Sequence, residues 1–566
     1  MKLLKKHNYS FIVMLLTLVG IALHFYNLNW GAPFYFHPDE RNIASAVSQL
    51  QFPSQMNPHF FAYGSLPIYI IYFTGVVANY FTGLLQQLPQ TQLFTVSFEN
   101  SIIVGRAYSA LFSTLLIPLL YLLGKRLKDK KIGLLASFLG ATSVGFIQFA
   151  HFGTFEMWLT FLGTILFGLC LSYFNRPNIS TLLFVSLIAG ALVSIKVTSL
   201  ALFPLPVALL IFRSFTHTKQ TSTLHIAHAI DLRASDLHSF ITFLKNTLFF
   251  AIIAALVYLI TNPFVFLDQK DFLSSMHYES AVALGTEPVF YTGGFLMTIP
   301  LLYQTLHVFP FILNPLILIL LIPASVFVCI KMFRHKDGQL LLLIAFFLIL
   351  LVSQVFLFVK WTRYMMPTLP FIYLIVAYTI SSMLEKMHSK PLRMIEMACL
   401  VVICSIFAFS YFKTAFINTD SRIAALTFAQ HTIPLNATIL SEPADLGVLP
   451  FQDAFPHVDA FNFYELDNNS IDATETLLQQ KISDAQYIVL PSQRILQPRL
   501  QHPTLFPKSY VFYNSLINGT LGYHKIYETP CDIFCEITYL GDPVFWWEQT
   551  VSVFDRPTVF IYKKNS

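Results

Sequence analysis

The sequence predicts a polytopic α-helical membrane protein with a small α/β domain at its C-terminal end. Two observations carry this prediction. Hydrophobic residues make up 55% of the 566 residues and charged residues only 11%, whereas about 25% of an average soluble domain is charged. Apolar runs of about 20 residues, the length that crosses a bilayer as a helix, recur through the first 412 residues.

Eleven such runs are predicted to be membrane-spanning helices. Their approximate ranges are 10–28, 106–125, 132–150, 157–174, 180–195, 197–213, 247–261, 310–332, 339–359, 364–384 and 394–412. The stretch from 180 to 213 contains Lys196, so it is either two short helices or one long helix broken at that residue.

A further apolar stretch, 66–84, is assigned from the distribution of charge. Lys and Arg collect on the cytoplasmic side of short membrane loops. If 66–84 lies in the membrane interface and does not span, the basic loops all fall on that side; they are 2–6, 125–131, 213–245, 331–336 and 385–393. The sequence therefore predicts an interfacial helix at 66–84, a cytoplasmic N-terminus and a multi-pass protein of the plasma membrane.

The chain changes character near residue 413, which predicts a membrane domain (1–412) followed by an extracytoplasmic α/β domain (413–566). Pro, Asp, Asn and Gln become frequent, and apolar runs shorten to strand length at 437–440, 486–491 and 558–564, with a short helix at 471–482. Cys531 and Cys535 either pair, if this compartment is oxidising, or remain thiols. The small net charge of +5 argues against a nucleic-acid partner.

The first predicted outer loop carries two adjacent carboxylates. It reads Phe36-His37-Pro38-Asp39-Glu40-Arg41 and follows the first span directly. Charge near the hydrocarbon is costly and tends to mark function, and a carboxylate can act as general base toward an acceptor hydroxyl or amine. It can also hold a metal or a ligand hydroxyl. The structural alternative is a helix start, which Pro and acidic residues favour.

More charged positions lie near the outer face. Glu156 lies at the outer end of a span, where it is either functional or merely solvated. Lys360 and Arg363 lie at the outer rim, where they either hold a phosphate or reach lipid headgroups. Lys196 interrupts an apolar run of some thirty residues, so it must face a partner or a cavity. Such acids and cations on one face would suit a lipid-phosphate sugar donor and its acceptor.

The long outer loop 262–308 adds further polar side chains, which are Asp268, Asp271, His277, Tyr278 and Glu279. It also contains Gly285, Gly293 and Gly294. A loop of this length and composition either closes over a site as a lid or serves as an ordinary connector.

Five sequence motifs together resemble those of the GT-C superfamily. They are HPDE (37–40), NPHFFAYGSLPIYI (57–70), AHFGTFEMWLTF (150–161), SIKVTSLALFP (194–204) and RYMMPTLPFIYLIVAY (363–378). The resemblance extends over residues 10–385. It is to the family 39 glycosyltransferases in particular, which are related to protein O-mannosyltransferases and to the aminoarabinose transferase of lipid A.

The resemblance implies a multispan GT-C fold with interfacial helices in the first outer loop and an active site at the outer membrane face. It implies inverting transfer of a hexosyl or pentosyl group from a polyprenyl- or dolichyl-phosphate donor to a protein, lipid or glycan. Asp39 would be the base or bind the acceptor, with Glu40 beside it and Glu156 as a second acid. Lys196, Arg363 and Tyr364 would bind the donor phosphate. The other candidate site residues at or beside the motifs are His37, Arg41, Tyr63, His151 and Lys360.

The sequence also departs from the family. Glu156 stands where the family usually has Asp, and Gly64-Ser65-Leu66-Pro67 stands where the lipid A branch places Lys-Pro. The tail after 413 matches none of the best-known members and is a candidate for setting acceptor choice.

Metal use and two other functional classes complete the predictions. Asp39, Glu40, Glu156 and His37 have the chemistry to hold Mg²⁺ or Mn²⁺, but we predict that no metal or other cofactor is required. A transporter or flippase of a lipid-linked substrate usually has midplane charges on broken helices in repeated halves, whereas this chain has charges at its outer rim and no visible repeat. A non-catalytic assembly protein with this fold need not keep both Asp39 and Glu40.

Overall fold

The computed structural model describes residues 2–86, 93–215, 237–287, 289–443, 445–467 and 472–565. The chain forms two compact units. The first unit contains Met1–Leu28, Asp39–Leu284 and Ile312–Ala408, and the second contains Asn29–Pro38, Gly285–Phe311 and Phe409–Ser566. The second unit therefore contains two segments, 29–38 and 285–311, that are remote from the C-terminal tail in sequence.

The first unit is built from helices. Its α-helices and two 3₁₀ segments are Lys2–Phe25, Pro38–Ser48, Ser65–Gln86, Phe98–Leu127, Lys130–Ala141, Val144–Ala150, Glu156–Asn175, Ile179–Ile195, Val197–Leu202 (3₁₀), Pro204–Phe215, Leu237–Thr261, Phe264–Leu267, Gln269–Leu284, Pro315–His335, Gly338–Val355, Thr362–Thr368 (3₁₀), Leu369–Lys386 and Lys390–Phe412. The last of these continues beyond Ala408 into the second unit.

The helices confirm the predicted fold class. In the described part of the chain, eight helices are long and apolar enough to cross a membrane, or nine if the bent pair Lys130–Ala141 and Val144–Ala150 forms one span. Tyr9–Phe25 and Ile179–Ile195 are shorter apolar helices. Each of the eleven predicted segments thus corresponds to a helix or a pair of helices. The stretch 66–84 is helical too, and its interfacial location stays a prediction, as does the membrane orientation.

Polar caps fix where the apolar helices begin. Ser97, Asp129, Asn178 and Asp337 each accept hydrogen bonds from backbone N–H groups in the first turn of the helix that follows. Such side chains satisfy donors that a helix leaves unpaired at its N-terminus. The basic loop predicted at 213–245 lies largely outside the described residues.

Two breaks in the helices place charged residues. Helix Ile179–Ile195 ends at Lys196, whose backbone is extended, and the chain continues as the 3₁₀ segment Val197–Leu202. This confirms a break at Lys196. Arg363 lies in the 3₁₀ segment Thr362–Thr368, which runs directly into helix Leu369–Lys386.

The second unit contains a five-stranded sheet in the order β2-β1-β3-β5-β4. The strands are β1 (Ile439–Ser441), β2 (Val458–Ala460), β3 (Tyr487–Leu490), β4 (Tyr523–Glu528) and β5 (Phe560–Lys564). Strand β1 pairs in parallel with β2 and β3, placing Leu440 opposite Asp459 and Ile488, whereas β5 is antiparallel to β3 and β4. The three predicted strands are confirmed as β1, β3 and β5, while β2 and β4 were not predicted.

Helices and short helical turns surround this sheet. They are Phe290–Phe295, Gln304–Val308, Phe309–Ile312, Lys413–Ile417, Ser421–Thr432, Leu446–Val448, Leu449–Ala454, Asp472–Asp484, Leu496–Gln501, Pro507–Ile517, Ile533–Tyr539 and Thr550–Asp555. Alternate strand residues enter two different apolar clusters, Ile488 and Leu490 one of them and Tyr487 and Val489 the other. This alternation buries both faces of the sheet. Cys531 and Cys535 form a disulfide.

Candidate functional site

The two adjacent acids of the first outer loop lie in different environments. Glu40 is buried, and Arg106 in helix Phe98–Leu127 donates to both of its oxygens, at 2.9 Å from Nε and 2.7 Å from Nη2. The backbone N–H of Gly153 also donates to this carboxylate. Arg106 further donates to the carbonyl oxygen of Leu28 at 2.8 Å. Glu40 therefore joins three distant segments and has no oxygen left open to a substrate.

Asp39 forms an ion pair with Arg363. Both side chains are 24% exposed, so this pair faces open space that Glu40 lacks. The guanidinium carbon of Arg363 lies 5.4 Å from the ring centre of Trp361 and 5.7 Å from that of Tyr364. The structure thus joins an acid and a cation that are 324 positions apart in the chain.

The ammonium group of Lys196 lies between two tyrosine rings. Its distance is 4.9 Å to the ring centre of Tyr364 and 5.4 Å to that of Tyr63, within the range of a cation–π interaction. Gly64 makes this approach possible, because its N–H donates to the Ile195 carbonyl oxygen at 2.8 Å and a side chain at 64 would clash with the backbone of Ser194.

The Tyr63 hydroxyl is protonated at neutral pH and can donate a hydrogen bond. Burial, and after it the carboxylate of Glu156, raises the pKa of Tyr63 well above its ordinary value. Its ring also packs edge-on against Phe155, the residue before Glu156, at 5.2 Å between ring centres. Tyr63 therefore links the interfacial stretch to the start of helix Glu156–Asn175.

Glu156 is the first residue of its helix and is 1% exposed. Within the described part of the chain, neither of its carboxylate oxygens has a hydrogen-bond partner. Its charge interacts with Lys196 and Arg363. A buried carboxylate without donors is costly, and a catalytic role is one of the reasons for which native proteins keep such a group.

These residues share one pocket. Glu156, Lys196, Arg363 and Tyr364 line a space of about 580 Å³ that is partly open to its surroundings. The rest of its wall is mainly apolar, and includes Leu159, Leu192, Ala201, Leu202, Leu350 and Pro367. A polar end that carries two cations thus adjoins an apolar wall contributed by several helices.

Glu279 is a further acid whose charge interacts with the charged residues of this site. It is exposed on helix Gln269–Leu284, and its carboxylate interacts electrostatically with Arg363, Lys196 and Asp39. The sequence had placed it only within a long loop. Asn262, at the start of that loop, accepts a hydrogen bond from the Ser65 N–H at 2.7 Å and so holds the loop to helix Ser65–Gln86.

Besides Asp39, Glu40 and Tyr63, four predicted site residues do not line this pocket. Arg41 lies 5.3 Å from the ring centre of Phe98. His151 is buried with its ring nitrogens 2.7 Å and 2.8 Å from the carbonyl oxygens of Ile147 and Tyr26. Lys360 is buried and donates to the Phe358 carbonyl oxygen at 2.8 Å, and burial lowers its pKa. These side chains hold backbone and ring groups in place.

The fourth of these residues, His37, belongs to the second unit. Its ring lies 4.9 Å from that of Phe554 there. In the first unit, Arg363 pairs with Asp39 and Arg106 pairs with Glu40.

Among the described residues, one group has the ligand types and spacing for a metal ion. It consists of His59, Asp268 and Asp271, whose ligand atoms lie within 4.8 Å of one another. Asn57 donates to Asp268 at 2.7 Å, and His59 lies 3.6 Å from the same carboxylate. The prediction that the protein requires no metal stays a prediction.

Comparisons with known proteins agree with this architecture. Residues 90–233 match the family model of dolichyl-phosphate-mannose-protein mannosyltransferases. The apo structure of the oligosaccharyltransferase from Archaeoglobus fulgidus matches with a TM-score of 0.52 and 12% identity, over 99% of this chain and 89% of that one. This chain is therefore similar in fold to a GT-C glycosyltransferase. No curated protein matches the sequence.

Other solved GT-C structures match as well. The Archaeoglobus fulgidus oligosaccharyltransferase AglB, in complex with an inhibitory peptide and a dolichol-phosphate, has a TM-score of 0.50 and 11% identity over 99% of this chain and 89% of that one. ArnT from Cupriavidus metallidurans bound to undecaprenyl phosphate has a TM-score of 0.42 and 11% identity over 98% of this chain and 97% of that one. The resemblance to GT-C glycosyltransferases inferred from the sequence is confirmed.

Arg106 is not among the site residues predicted from the sequence. The predicted span begins at residue 106, which makes this arginine its boundary, whereas the helix begins two turns earlier at Phe98. An arginine that far inside an apolar helix needs a buried partner, and this requirement is the signal that could have identified it.

Proposed function

We propose that this GT-C protein transfers a sugar from a polyprenyl-phosphate donor to an acceptor on the extracytoplasmic face, with inversion at the anomeric carbon. One observation carries the proposal: Glu156, Lys196 and Arg363 line a single pocket with an apolar wall, and Asp39 pairs with Arg363 at its edge. The mannosyltransferase family model, which matches residues 90–233, supports a lipid-phosphate donor.

Lys196, Arg363 and Tyr364 would bind the donor phosphate. One terminal nitrogen of Arg363 holds Asp39, while its Nε is buried and lacks a hydrogen-bond partner among the described residues. The guanidinium can therefore donate to a phosphate oxygen without releasing Asp39. The leucines of the pocket wall would contact the first isoprene units. The related AglB structure contains a dolichol-phosphate, which is consistent with this arrangement.

Asp39 would act as the general base. As the acceptor's nucleophilic atom attacks the anomeric carbon, its proton passes to Asp39, and the bond between that carbon and the phosphate oxygen breaks. The polyprenyl phosphate leaves with the electron pair, and Lys196 and Arg363 stabilise the charge that develops on it. Attack from the side opposite the leaving phosphate inverts the anomeric centre.

The remaining acids would have different roles. Glu156 has both oxygens available to accept hydrogen bonds from the acceptor and so to orient it. Glu40, which the sequence placed among the catalytic residues, would instead be a positioning residue, because Arg106 and Gly153 occupy its oxygens. It would hold the first turn of helix Pro38–Ser48, and hence Asp39, in place.

The test is sugar release from a panel of radiolabelled polyprenyl-phosphate sugars by the purified protein in detergent. Wild type is compared with Asp39→Asn and with Glu99→Gln, a control that neutralises an exposed acid in the first turn of helix Phe98–Leu127. We expect turnover of at least one donor by wild type and Glu99→Gln but not by Asp39→Asn. Lipid phosphate that binds without turnover of any donor would favour a transporter or a non-catalytic assembly protein instead.

A further inference from the structure

A second candidate binding site lies at the carboxyl ends of the three parallel strands in the second unit, β1, β2 and β3. In the strand order, β2 lies beyond β1 toward one edge of the sheet, whereas β5 and β4 lie beyond β3 toward the other edge. The connections that leave β1 and β3 therefore diverge. In open sheets this divergence opens a crevice outside the carboxyl ends of the strands, where ligands bind.

Polar side chains follow all three parallel strands at this edge. The groups that follow β1, β2 and β3 in turn are Glu442 and Asp445, Tyr464 and Asp467, and Arg494 and Arg499. Glu442 interacts electrostatically with Asp445, Arg494 and Arg499. Tyr464 interacts with these three residues and with Glu442 itself. Three loops that are far apart in sequence thus bring their polar groups into one cluster, called here the strand-end cluster.

Two acids of the strand-end cluster have structural partners. Asp445 accepts hydrogen bonds from the Ser492 hydroxyl and from the Gly447 N–H, the latter at 2.7 Å. Asp467 accepts from the Ser509 hydroxyl and from the Lys508 N–H at 2.8 Å. These bonds fix the loops after β1, β2 and β3 relative to one another.

Two other groups of the cluster have hydrogen-bonding capacity left over. Glu442 is fully buried, and one of its oxygens accepts from the Tyr513 hydroxyl. Within the described residues its other oxygen has no hydrogen-bond partner, and neither has the hydroxyl of Tyr464. Buried polar groups of native proteins are normally paired, so these two groups point to a ligand.

The cluster is balanced in charge and has aromatic walls. Asp467 lies 4.0 Å from Arg499 and offsets its charge. The ring of Phe290 packs against Tyr464 at 4.7 Å between centres, and Arg494 lies 5.4 Å from the ring centre of Phe554. Burial raises the pKa of Glu442 to about 8, so its carboxyl group is mainly protonated near neutral pH and can donate as well as accept. Because Asp445 and Asp467 offset the charges of Arg494 and Arg499, this cluster beside aromatic rings suits hydroxyl groups better than an anion.

We propose that the strand-end cluster is a binding site for a neutral saccharide. Its hydroxyls would pair with Glu442, Tyr464 and the two arginines, and its ring would lie against the aromatic side chains. The site shares no residue with the pocket of the first unit, and the proposal does not depend on the transferase activity proposed above.

The test is saturation-transfer NMR with the purified full chain in detergent. The probes are mannose, galactose and N-acetylglucosamine, with glucuronate and inorganic phosphate as charged comparators. The variants are Tyr464→Phe and Arg494→Gln. The matched control is Tyr510→Phe, which removes a tyrosine hydroxyl from helix Pro507–Ile517 outside the cluster. Asp39→Asn separates this site from the pocket of the first unit, and melting temperatures establish that each variant is folded.

We expect at least one neutral saccharide to bind wild type, Tyr510→Phe and Asp39→Asn with similar affinity. Loss of one hydrogen bond in Tyr464→Phe should weaken binding about threefold to tenfold, and Arg494→Gln should weaken it at least as much. The proposal is overturned if no neutral saccharide binds, if only the charged comparators bind, or if folded Tyr464→Phe and Arg494→Gln bind as wild type does.

Discussion

In the first unit the charged groups of the candidate site lie where apolar helices begin or break, whereas in the second unit they follow the carboxyl ends of parallel strands. Lys196 directly precedes a 3₁₀ segment, Arg363 lies within another, and Glu156 begins a helix. Glu442 and Arg494 are carried by loops after β1 and β3. The first arrangement concentrates cations beside an apolar wall and suits a lipid phosphate. The second balances its charges and suits a neutral ligand.

The largest effect on stability is expected at Glu40. Glu40→Gln leaves the buried guanidinium of Arg106 without its carboxylate, and breaking a buried ion pair from one side costs about 3–5 kcal/mol. Asp39→Asn is the matched comparison, since it alters the adjacent, partly exposed acid. We expect a clear fall in melting temperature in detergent for Glu40→Gln alone. Equal falls in both variants would show that the two acids do not differ in role.

Glu156→Gln should separate activity from stability. We expect sugar transfer to fall about 100-fold, because an acceptor that is no longer oriented reacts poorly. The melting temperature should stay level or rise, since the variant removes the charge from a buried group that has no hydrogen-bond donors. A melting temperature that falls together with activity would indicate a structural role for Glu156 instead.

Arg363→Lys should weaken donor binding about tenfold, because lysine keeps the charge but loses the planar fork that can bind Asp39 and a phosphate together. The measurement is KM for the polyprenyl-phosphate sugar. Arg176→Lys is the control, since Arg176 is exposed at the opposite end of helix Glu156–Asn175. A KM that changes no more than in this control would remove Arg363 from the donor site.

The smallest effect concerns the pH dependence of the second unit. Burial raises the pKa of Glu442 from its ordinary value of 4.5 to about 8. The stability that its protonated form contributes is therefore fully present below pH 4.5 and is lost as the pH rises through about 8. Between about pH 6 and about pH 9, the melting temperature of wild type should fall more than that of Glu442→Gln. Parallel curves would contradict this assignment.

Much of the first unit could be predicted from the sequence, because charge stands out in an apolar context. Glu156, Lys196 and Arg363 were singled out for that reason, and the structure brings them into one pocket. Asp39 and Glu40 could not be told apart, since adjacent residues of a helix point in different directions and the partner of Glu40 lies 66 positions away. The backbone carbonyl partners of His151 and Lys360 could not be predicted, because such contacts leave no trace in the sequence.

The second unit was harder to predict. Strands β1, β3 and β5 lie inside the sheet and consist largely of apolar residues, so they were found. Strands β2 and β4 are the two edges of the sheet, and edge strands are often short and polar. The strand-end cluster escaped prediction because only the pairing order of the strands brings its loops together.

The most direct test of the account is to locate the donor lipid. Undecaprenyl phosphate that carries a photoactivatable group next to its phosphate is cross-linked to the purified protein, and the modified peptides are identified by mass spectrometry. We expect adducts in helix Glu156–Asn175 and in the segment Val197–Leu202, suppressed by unlabelled lipid phosphate and reduced in Arg363→Gln. Adducts confined to other helices, or unchanged in Arg363→Gln, would contradict the claim that this pocket binds the donor.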